Sequence, residues 1–304
     1  MVKLYTELSG VLPVLQTPFN VDDEIDEGIL QKEIAWVLDQ GADGLTTGMV
    51  SEILKLSPSE RMRLGEIVCD AAKTNKVTSI LSCGAESTKQ AILFAKHAEE
   101  IGADAVMINA PVTSGLSDNQ VYGYFSAIFQ STEIPIVIQD ASGYVVRALS
   151  LDLQVNLFEE FQSRSYFKPE AAPIGTRLSI FMDATGGKAR VLEGSAGGAL
   201  LETFNRGVVG TMPGAEVCWA IVAIWKALKS KNQSRVDEIS GPLASLIALQ
   251  SSLDAYLGIE KYLLRKQGIF TNELMRQPFG FECDYQTREL IDRIYILLKS
   301  KVNS

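Results

Sequence analysis

Short apolar runs alternate with longer amphipathic stretches along most of this chain. The runs are "GVLPVLQT" (10–17), "DGLTTG" (43–48), "VTSILSCG" (77–84), "ADAVMINA" (103–110), "IPIVIQDA" (134–141), "SYFKPEA" (165–171), "ARVLEGSA" (189–196) and "GVVGTMPG" (207–214). Each is rich in Val, Ile or Thr and closes on Gly, Pro, Asp or Ser, the pattern of a buried strand. The stretches between them have helical spacing. "SPSERMRLGEIVCDAAK" opens on Ser57 and Pro58, an N-cap followed by proline in the first helical position. "STKQAILFAKHAEEIGA" stops at Gly102. Eight strand–helix alternations predict an α/β chain whose parallel sheet closes as a (β/α)8 TIM barrel. A doubly wound open sheet is disfavoured, because no GxGxxG follows the first run. After residue 230 the strand signal stops and the pattern is helical. The organisation expected is a barrel over 1–230 and a C-terminal helical domain over 231–304.

Composition narrows the function classes. At 304 residues, with 46% hydrophobic and 21% charged residues, the chain is sized for one large domain or one with a small appendage. The net charge of −9 and the lack of a basic stripe argue against nucleic acid or an anionic membrane as partner. Cys69, Cys83, Cys218 and Cys283 are widely spaced, as expected of buried free thiols in a reducing compartment. No apolar run approaches the length of a membrane span and the first residues lack a signal-peptide core, so a cytoplasmic location is expected. His97 is the single histidine, which excludes a histidine-based triad and a histidine-rich metal site. It falls in a helical pattern as a surface residue.

The run at 165–171 carries the candidate chemistry. Lys168 sits among apolar residues, and an ammonium there is costly unless it is paired or has lost its proton. Barrel enzymes keep their chemistry at the carboxyl ends of the strands, where the sixth run places this lysine. Strand alternation puts Glu170 on the same side. Burial favours the uncharged amine, a nucleophile toward a carbonyl, and the adjacent carboxylate is placed to move a proton on the resulting imine. A Lys–Glu ion pair holding the barrel mouth together fits the same spacing.

Other features carry two readings each. "EGSAGG" (193–198) reads as a phosphate cradle or as a tight turn lining the site, with Ser195 a polar contact and Glu193 a second carboxylate. Asp140 reads as a hydroxyl binder or a loop cap. Asp22, Asp23, Glu24 and Asp26 read as a solvated turn rather than a cation site. Lys261 and Arg265, on a helical run, are expected to face solvent or a subunit contact.

"GVLPVLQTPFNVDDEID", "GADGLTTGMVSEILKLSPSER", "GADAVMINAP", "IPIVIQD", "FKPE" and "GVVGTMPG", in this order, resemble the dihydrodipicolinate synthase / N-acetylneuraminate lyase family from about Gly10 to the C-terminus. The resemblance implies a barrel with a C-terminal helical domain, usually tetrameric, whose lysine forms an imine with pyruvate or a related 2-keto acid. By position that lysine is Lys168. No cofactor and no metal is implied.

Two departures bear on substrate. The family's Gly-Thr-Thr-Gly-Glu aligns with Gly48-Met49-Val50-Ser51-Glu52, so the threonines that hold the keto acid's carboxylate are replaced. The N–H groups of Met49 and Val50, with Ser51 and Thr17, are the remaining candidates. The fifth strand ends Gln139-Asp140-Ala141-Ser142 where the family has a proton-shuttling tyrosine. The position of the synthase arginine is Tyr144 here, with Arg147 the nearest basic residue. These features are similar to a branch acting on 2-keto-3-deoxy sugar acids, in which the glutamate of Lys-x-Glu, Glu170, takes over acid–base work. The chain is therefore expected to be a Schiff-base lyase acting on a 2-keto-3-deoxy sugar acid, by dehydration or by retro-aldol cleavage to pyruvate and an aldehyde, as a homotetramer or homodimer. A 4-hydroxy-tetrahydrodipicolinate synthase, and a keto-acid-binding protein without catalysis, are the alternatives.

Overall fold

The structure is a computed structural model that describes residues 7–142 and 148–303. Eight strands alternate with eight helices in the order β1 (Gly10–Val11), α1 (Glu27–Asp39), β2 (Gly44–Thr46), α2 (Pro58–Asn75), β3 (Thr78–Ser82), α3 (Thr88–Glu100), β4 (Ala105–Asn109) and α4 (Asp118–Ser131). There follow β5 (Ile136–Asp140), α5 (Leu151–Phe161), β6 (Ser165–Pro169), α6 (Ile174–Ala184), β7 (Leu192–Glu193), α7 (Leu200–Phe204), β8 (Gly210–Thr211) and α8 (Cys218–Lys229). Three further helices, α9 (Gln233–Ile247), α10 (Leu253–Lys266) and α11 (Tyr285–Asn303), complete the chain.

All strand pairs are parallel. β2 to β6 form one ladder in chain order, and β1, β8 and β7 form another. Bridges from Val14 to Thr46 and from Phe167 to Val191 join the two ladders at both seams. The ring is thus closed, as a barrel requires. Several strands are shorter than their apolar runs. Pro13 has no N–H to give the ladder, so β1 stops at Val11 and the chain resumes pairing through Val14 N–H to Pro213 O and Leu15 N–H to Thr46 O.

Alternation along the strands divides the core in two. Leu12, Ile80, Ala105, Met107, Val137, Tyr166, Leu192 and Met212 fill the barrel interior. Ile108, Ile138 and Phe167 face outward and pack beneath the helices with Phe94, Phe125 and Phe181. Residues two positions on from the interior set, Gln139 after Val137 and Lys168 after Tyr166, inherit the inward direction at the strands' carboxyl ends.

Helix starts follow the sequence signals. Ser57 caps α2 by accepting the N–H of Glu60, with Pro58 in the first turn, and Asp26 caps α1 through the N–H of Ile29. Gly102 takes φ +79° just past α3, the left-handed turn for which glycine is suited. α10 departs from expectation: Ile259, Glu260, Lys261, Tyr262 and Leu263 are all buried, so Lys261 faces protein and not solvent. Arg265, one turn on, is half exposed and pairs with Glu273. Among the described residues no helix is long and apolar enough to cross a membrane. Cys69, Cys83 and Cys218 are buried, Cys283 is half-buried, and all four are free.

Candidate active site

β5 and β6 pair in register with Gln139 opposite Lys168. The two side chains meet over the barrel's mouth on a third, Glu170, just past β6. Glu170 Oε1 accepts from Lys168 Nζ at 2.9 Å and from Gln139 Nε2 at 2.7 Å. The Lys168 and Glu170 side chains retain only 6% and 5% of their exposure, so the pair sits outside bulk water. Burial pushes the Glu170 carboxyl above its ordinary range, against the opposing pull of the Lys168 charge and the two hydrogen bonds. A carboxyl poised in this way accepts and returns a proton more readily than one in water.

Lys168 opens into a small cavity bounded by Val14, Gly48, Met49, Val50, Gln139 and Gly194, and closed on the far side by Met212, Pro213, Gly214 and Tyr256. Gly194 is there for space: a Cβ would stand 2.7 Å from Lys168 Cγ and 3.1 Å from Glu170 Cγ. Met49 and Val50 open a 3-10 turn whose bonds are made by the N–H groups of Ser51 and Glu52, leaving the first amides of the turn without an intrahelical acceptor. Gln139 Oε1 is buried with no hydrogen-bond partner among the described residues. The cavity thus offers an amine, amide donors and an acceptor within one small volume.

The remaining candidates are committed to the scaffold. Ser51 Oγ accepts the N–H of Gly48 and donates to Leu15 O, while Thr17 Oγ1 donates to Ser51 O at 2.6 Å. These bonds lock the turn that carries Met49 and Val50, so the two hydroxyls shape the cavity without lining it. Thr46 and Thr47 likewise spend their hydroxyls on Pro13 O and the Ser82 N–H.

Glu193 is a second correction. Its carboxylate takes the N–H of Ser195 at 2.7 Å, the Ser195 hydroxyl, the N–H of Gly197 at 3.1 Å and Thr211 Oγ1 at 2.6 Å. The turn at 193–198 is therefore filled by its own anion, which removes the phosphate reading along with a substrate contact from Glu193 or Ser195. Asp140 points outward from β5, where Oδ1 accepts the N–H of Leu149 and Oδ2 has no hydrogen-bond partner among the described residues. Tyr144 and Arg147 lie outside the described residues. Asp22, Asp23 and Glu24 are exposed, Asp26 is the α1 cap, and Asp23 pairs with Arg276. Among the described residues, no three His, Cys, Asp or Glu side chains are placed to hold a metal ion.

Sequence reasoning missed what stands behind Gly214. Glu33, Glu216 and Glu260 are all buried, and burial raises each carboxyl above its ordinary range. Glu260 accepts from Gln16 Nε2 at 2.9 Å and the Ala215 N–H at 3.0 Å, while Glu216 accepts from Gln250 Nε2 at 2.6 Å. Beside them Lys261 pairs with Glu52 at 2.6 Å. A signal existed, since Glu260 and Lys261 interrupt the apolar face Tyr256, Leu257, Ile259, Leu263 and Leu264.

Comparisons with known proteins agree with this architecture. The 4-hydroxy-tetrahydrodipicolinate synthase of Bartonella bacilliformis is 29% identical over 290 residues, covering 94% of this chain and 96% of that one. The same-named protein of Methylobacterium radiotolerans is 34% identical over 155 residues, about half of each chain. The 4-hydroxy-tetrahydrodipicolinate synthase from Methylacidiphilum fumariolicum SolV superposes with a TM-score of 0.88 at 22% identity, covering 98% of both chains. YagE, a prophage protein of E. coli K12 solved in complex with pyruvate, superposes at 0.86 with 18% identity, covering 96% of this chain and 99% of that one. The family model for the dihydrodipicolinate synthetase family matches residues 7–294. The chain is a member of that family, and the family's barrel is the one it builds.

Proposed function

We propose that this protein is a Schiff-base lyase acting on a 2-keto-3-deoxy sugar acid through Lys168. The observation that carries the reading is the buried Lys168–Glu170 pair at 2.9 Å, with Gln139 on the same glutamate oxygen, at the mouth of the barrel. An ion pair serving stability alone gains little from such burial, since desolvation offsets most of its attraction. A nucleophile beside its proton acceptor needs this arrangement.

In the proposed sequence the substrate carboxylate meets the amides of Met49 and Val50. Glu170 takes a proton from the Lys168 ammonium, the freed amine adds to C2, and loss of water gives a protonated imine. Glu170, again a carboxylate, removes a C3 proton; the electron pair moves into the enamine. The same carboxyl then protonates the C4 hydroxyl as the C4–O bond breaks and water leaves. Glu170 lies beside the imine nitrogen, which favours this dehydration over cleavage of the C3–C4 bond to pyruvate and an aldehyde.

A second reading, 4-hydroxy-tetrahydrodipicolinate synthase, is favoured by the names of the curated relatives. Against it stands Gln139, an amide in β5 at the place where the family resemblance puts a tyrosine. A keto-acid-binding role without catalysis would not need the Lys168 amine. The assembly expected is a homotetramer or homodimer.

Borohydride trapping with pyruvate and with racemic 2-keto-3-deoxy-pentonate, read by peptide mass spectrometry, tests the proposal. An adduct on the Lys168 peptide, formed faster with the pentonate, is expected. Folded protein that yields no adduct with either acid would overturn the imine, and a faster adduct with pyruvate followed by consumption of aspartate semialdehyde would favour the synthase.

A further inference from the structure

Forming the imine requires a group that the Lys168–Glu170 pair does not supply by itself. When the amine adds to C2, the carbonyl π pair moves onto oxygen, which must gain a proton while the new ammonium loses one. Glu170 already holds the proton taken from Lys168, and it needs that proton to expel the hydroxyl as water. A hydroxyl able to give one proton and take another is the missing part, and Gln139, which β5 turns toward Lys168, does neither.

Among the described residues lining the Lys168 cavity, Tyr256 is the one whose side chain carries an O–H. It is 4% exposed and comes from α10, outside the strand–helix alternation. Its hydroxyl is held at a defined place. Tyr256 Oη, Glu216 Oε2 and Glu260 Oε1 all lie within 3.0 Å of the point where a Cβ on Gly214 would stand, so twice that radius is the most that separates any two of them. Gly214 is the thin part of the cavity wall, and only its missing side chain lets the three oxygens crowd there. Glu216 and Glu260 are 1% and 0% exposed, and Glu216 Oε2 meets no hydrogen-bond donor among the described residues.

We infer that Tyr256 is the acid–base hydroxyl of this site, delivered from the C-terminal helices in place of a strand-five tyrosine and positioned by the Glu216–Glu260 pair behind Gly214. Its O–H proton goes to the C2 oxygen as the Lys168 N–C2 bond forms, and the adduct's ammonium returns a proton to the phenolate. The product is a neutral carbinolamine. Glu170 then protonates the C2 hydroxyl, the C–O bond breaks, water leaves and the protonated imine remains. Glu216 and Glu260 touch no reacting atom and act as positioning residues. Both carboxyls are raised by burial, which keeps protons in the pair and disfavours a standing charge beside the phenol.

The inference rests on the Lys168 imine, and its test separates the two. Each turn through the carbinolamine exchanges the C2 oxygen with water, so loss of 18O from [2-18O]pyruvate reads this step directly. Tyr256→Phe is expected to slow the exchange about 10²-fold, the range of a lost acid–base group, with KM for pyruvate changed less than about 3-fold. 3-Fluorotyrosine at 256, nearly the same size and more acidic, is expected to fold as wild type and to alter the exchange rate. Exchange at the wild-type rate in Tyr256→Phe would overturn the inference and leave the imine standing. If Tyr256→Phe does not fold, a fluorotyrosine protein indistinguishable from wild type overturns it in the same way. Wild-type protein without any borohydride adduct removes the imine and this inference together.

Discussion

Replacing Lys261 by methionine isolates the electrostatic tie between the barrel and the C-terminal helices. Lys261 Nζ donates to Glu52 Oε1 and to Leu274 O, both at 2.6 Å, and lies 4.5 Å from the centre of the Phe19 ring. Glu52 Oε2 accepts the N–H of Arg276 at 3.1 Å. Side-chain exposure is 1% for the lysine and 0% for the glutamate. Methionine fills most of the volume, so the loss is electrostatic: a buried carboxylate is left with the Arg276 N–H as its donor. Breaking such a pair from one side costs about 3–5 kcal/mol. With a urea slope near about 3 kcal/mol/M, suited to a chain of this size, the unfolding midpoint should fall by about 1–2 M. Glu52→Gln added to Lys261→Met removes the stranded charge while keeping an acceptor for Arg276, and should recover at least half of the loss. Urea titrations of the wild type, both single variants and the double variant close the cycle. A drop below about 0.3 M in Lys261→Met, or a double variant no more stable than Lys261→Met, would refute the argument that the cost is an uncompensated buried charge.

Further outcomes follow from the same geometry. Lys168→Ala should abolish borohydride labelling and turnover, while Glu170→Gln should lower turnover by about 10²–10⁴-fold and leave the labelled peptide detectable, measured side by side by mass spectrometry and steady-state assay. Gly194→Ala should cut the labelling rate by at least about tenfold with an unchanged far-ultraviolet spectrum, because its methyl group would stand 2.7 Å from Lys168 Cγ and shift the amine. Glu33 has a raised carboxyl, so the native state keeps a proton that the unfolded chain releases above about 4.5; its stabilising contribution is full below that value and is lost as pH rises toward its folded range. Urea midpoints from pH 5 to 9 should therefore move in favour of Glu33→Gln relative to wild type, by up to about 1.4 kcal/mol per pH unit. Glu60 is the opposite case: Arg276 holds its carboxyl down to about 2, so Glu60→Gln should cost stability at neutral pH and converge on wild type as pH falls from about 4.5 to 2.

The barrel was legible in the sequence because its signals are local. Val, Ile and Thr runs closed by Gly or Pro mark strands, and Ser57, Pro58 and Gly102 mark helix ends by backbone chemistry that needs no distant partner. The side on which Lys168 and Glu170 lie was legible too, since alternation along a strand is fixed by its pleat. What each polar side chain does with its oxygens was not. Thr17, Ser51, Glu193 and Ser195 look like ligand contacts in one dimension, yet Thr17, Ser51 and Glu193 bond partners 34, 36 and 18 residues away, Ser195 closes on Glu193, and all four are used by the scaffold. Lys261 reads as a surface lysine until Glu52, 209 residues earlier, is brought against it. Tyr256 is one aromatic residue on an apolar helical face until the gap at Gly214 sets its hydroxyl beside Lys168's cavity and two buried carboxyls. By itself the sequence determined the strand–helix order and the common side on which Lys168 and Glu170 lie, because propensity and periodicity act between near neighbours. Only the tertiary structure decided which of the polar groups remain available for chemistry, because burial and hydrogen-bond saturation depend on contacts made across the whole chain.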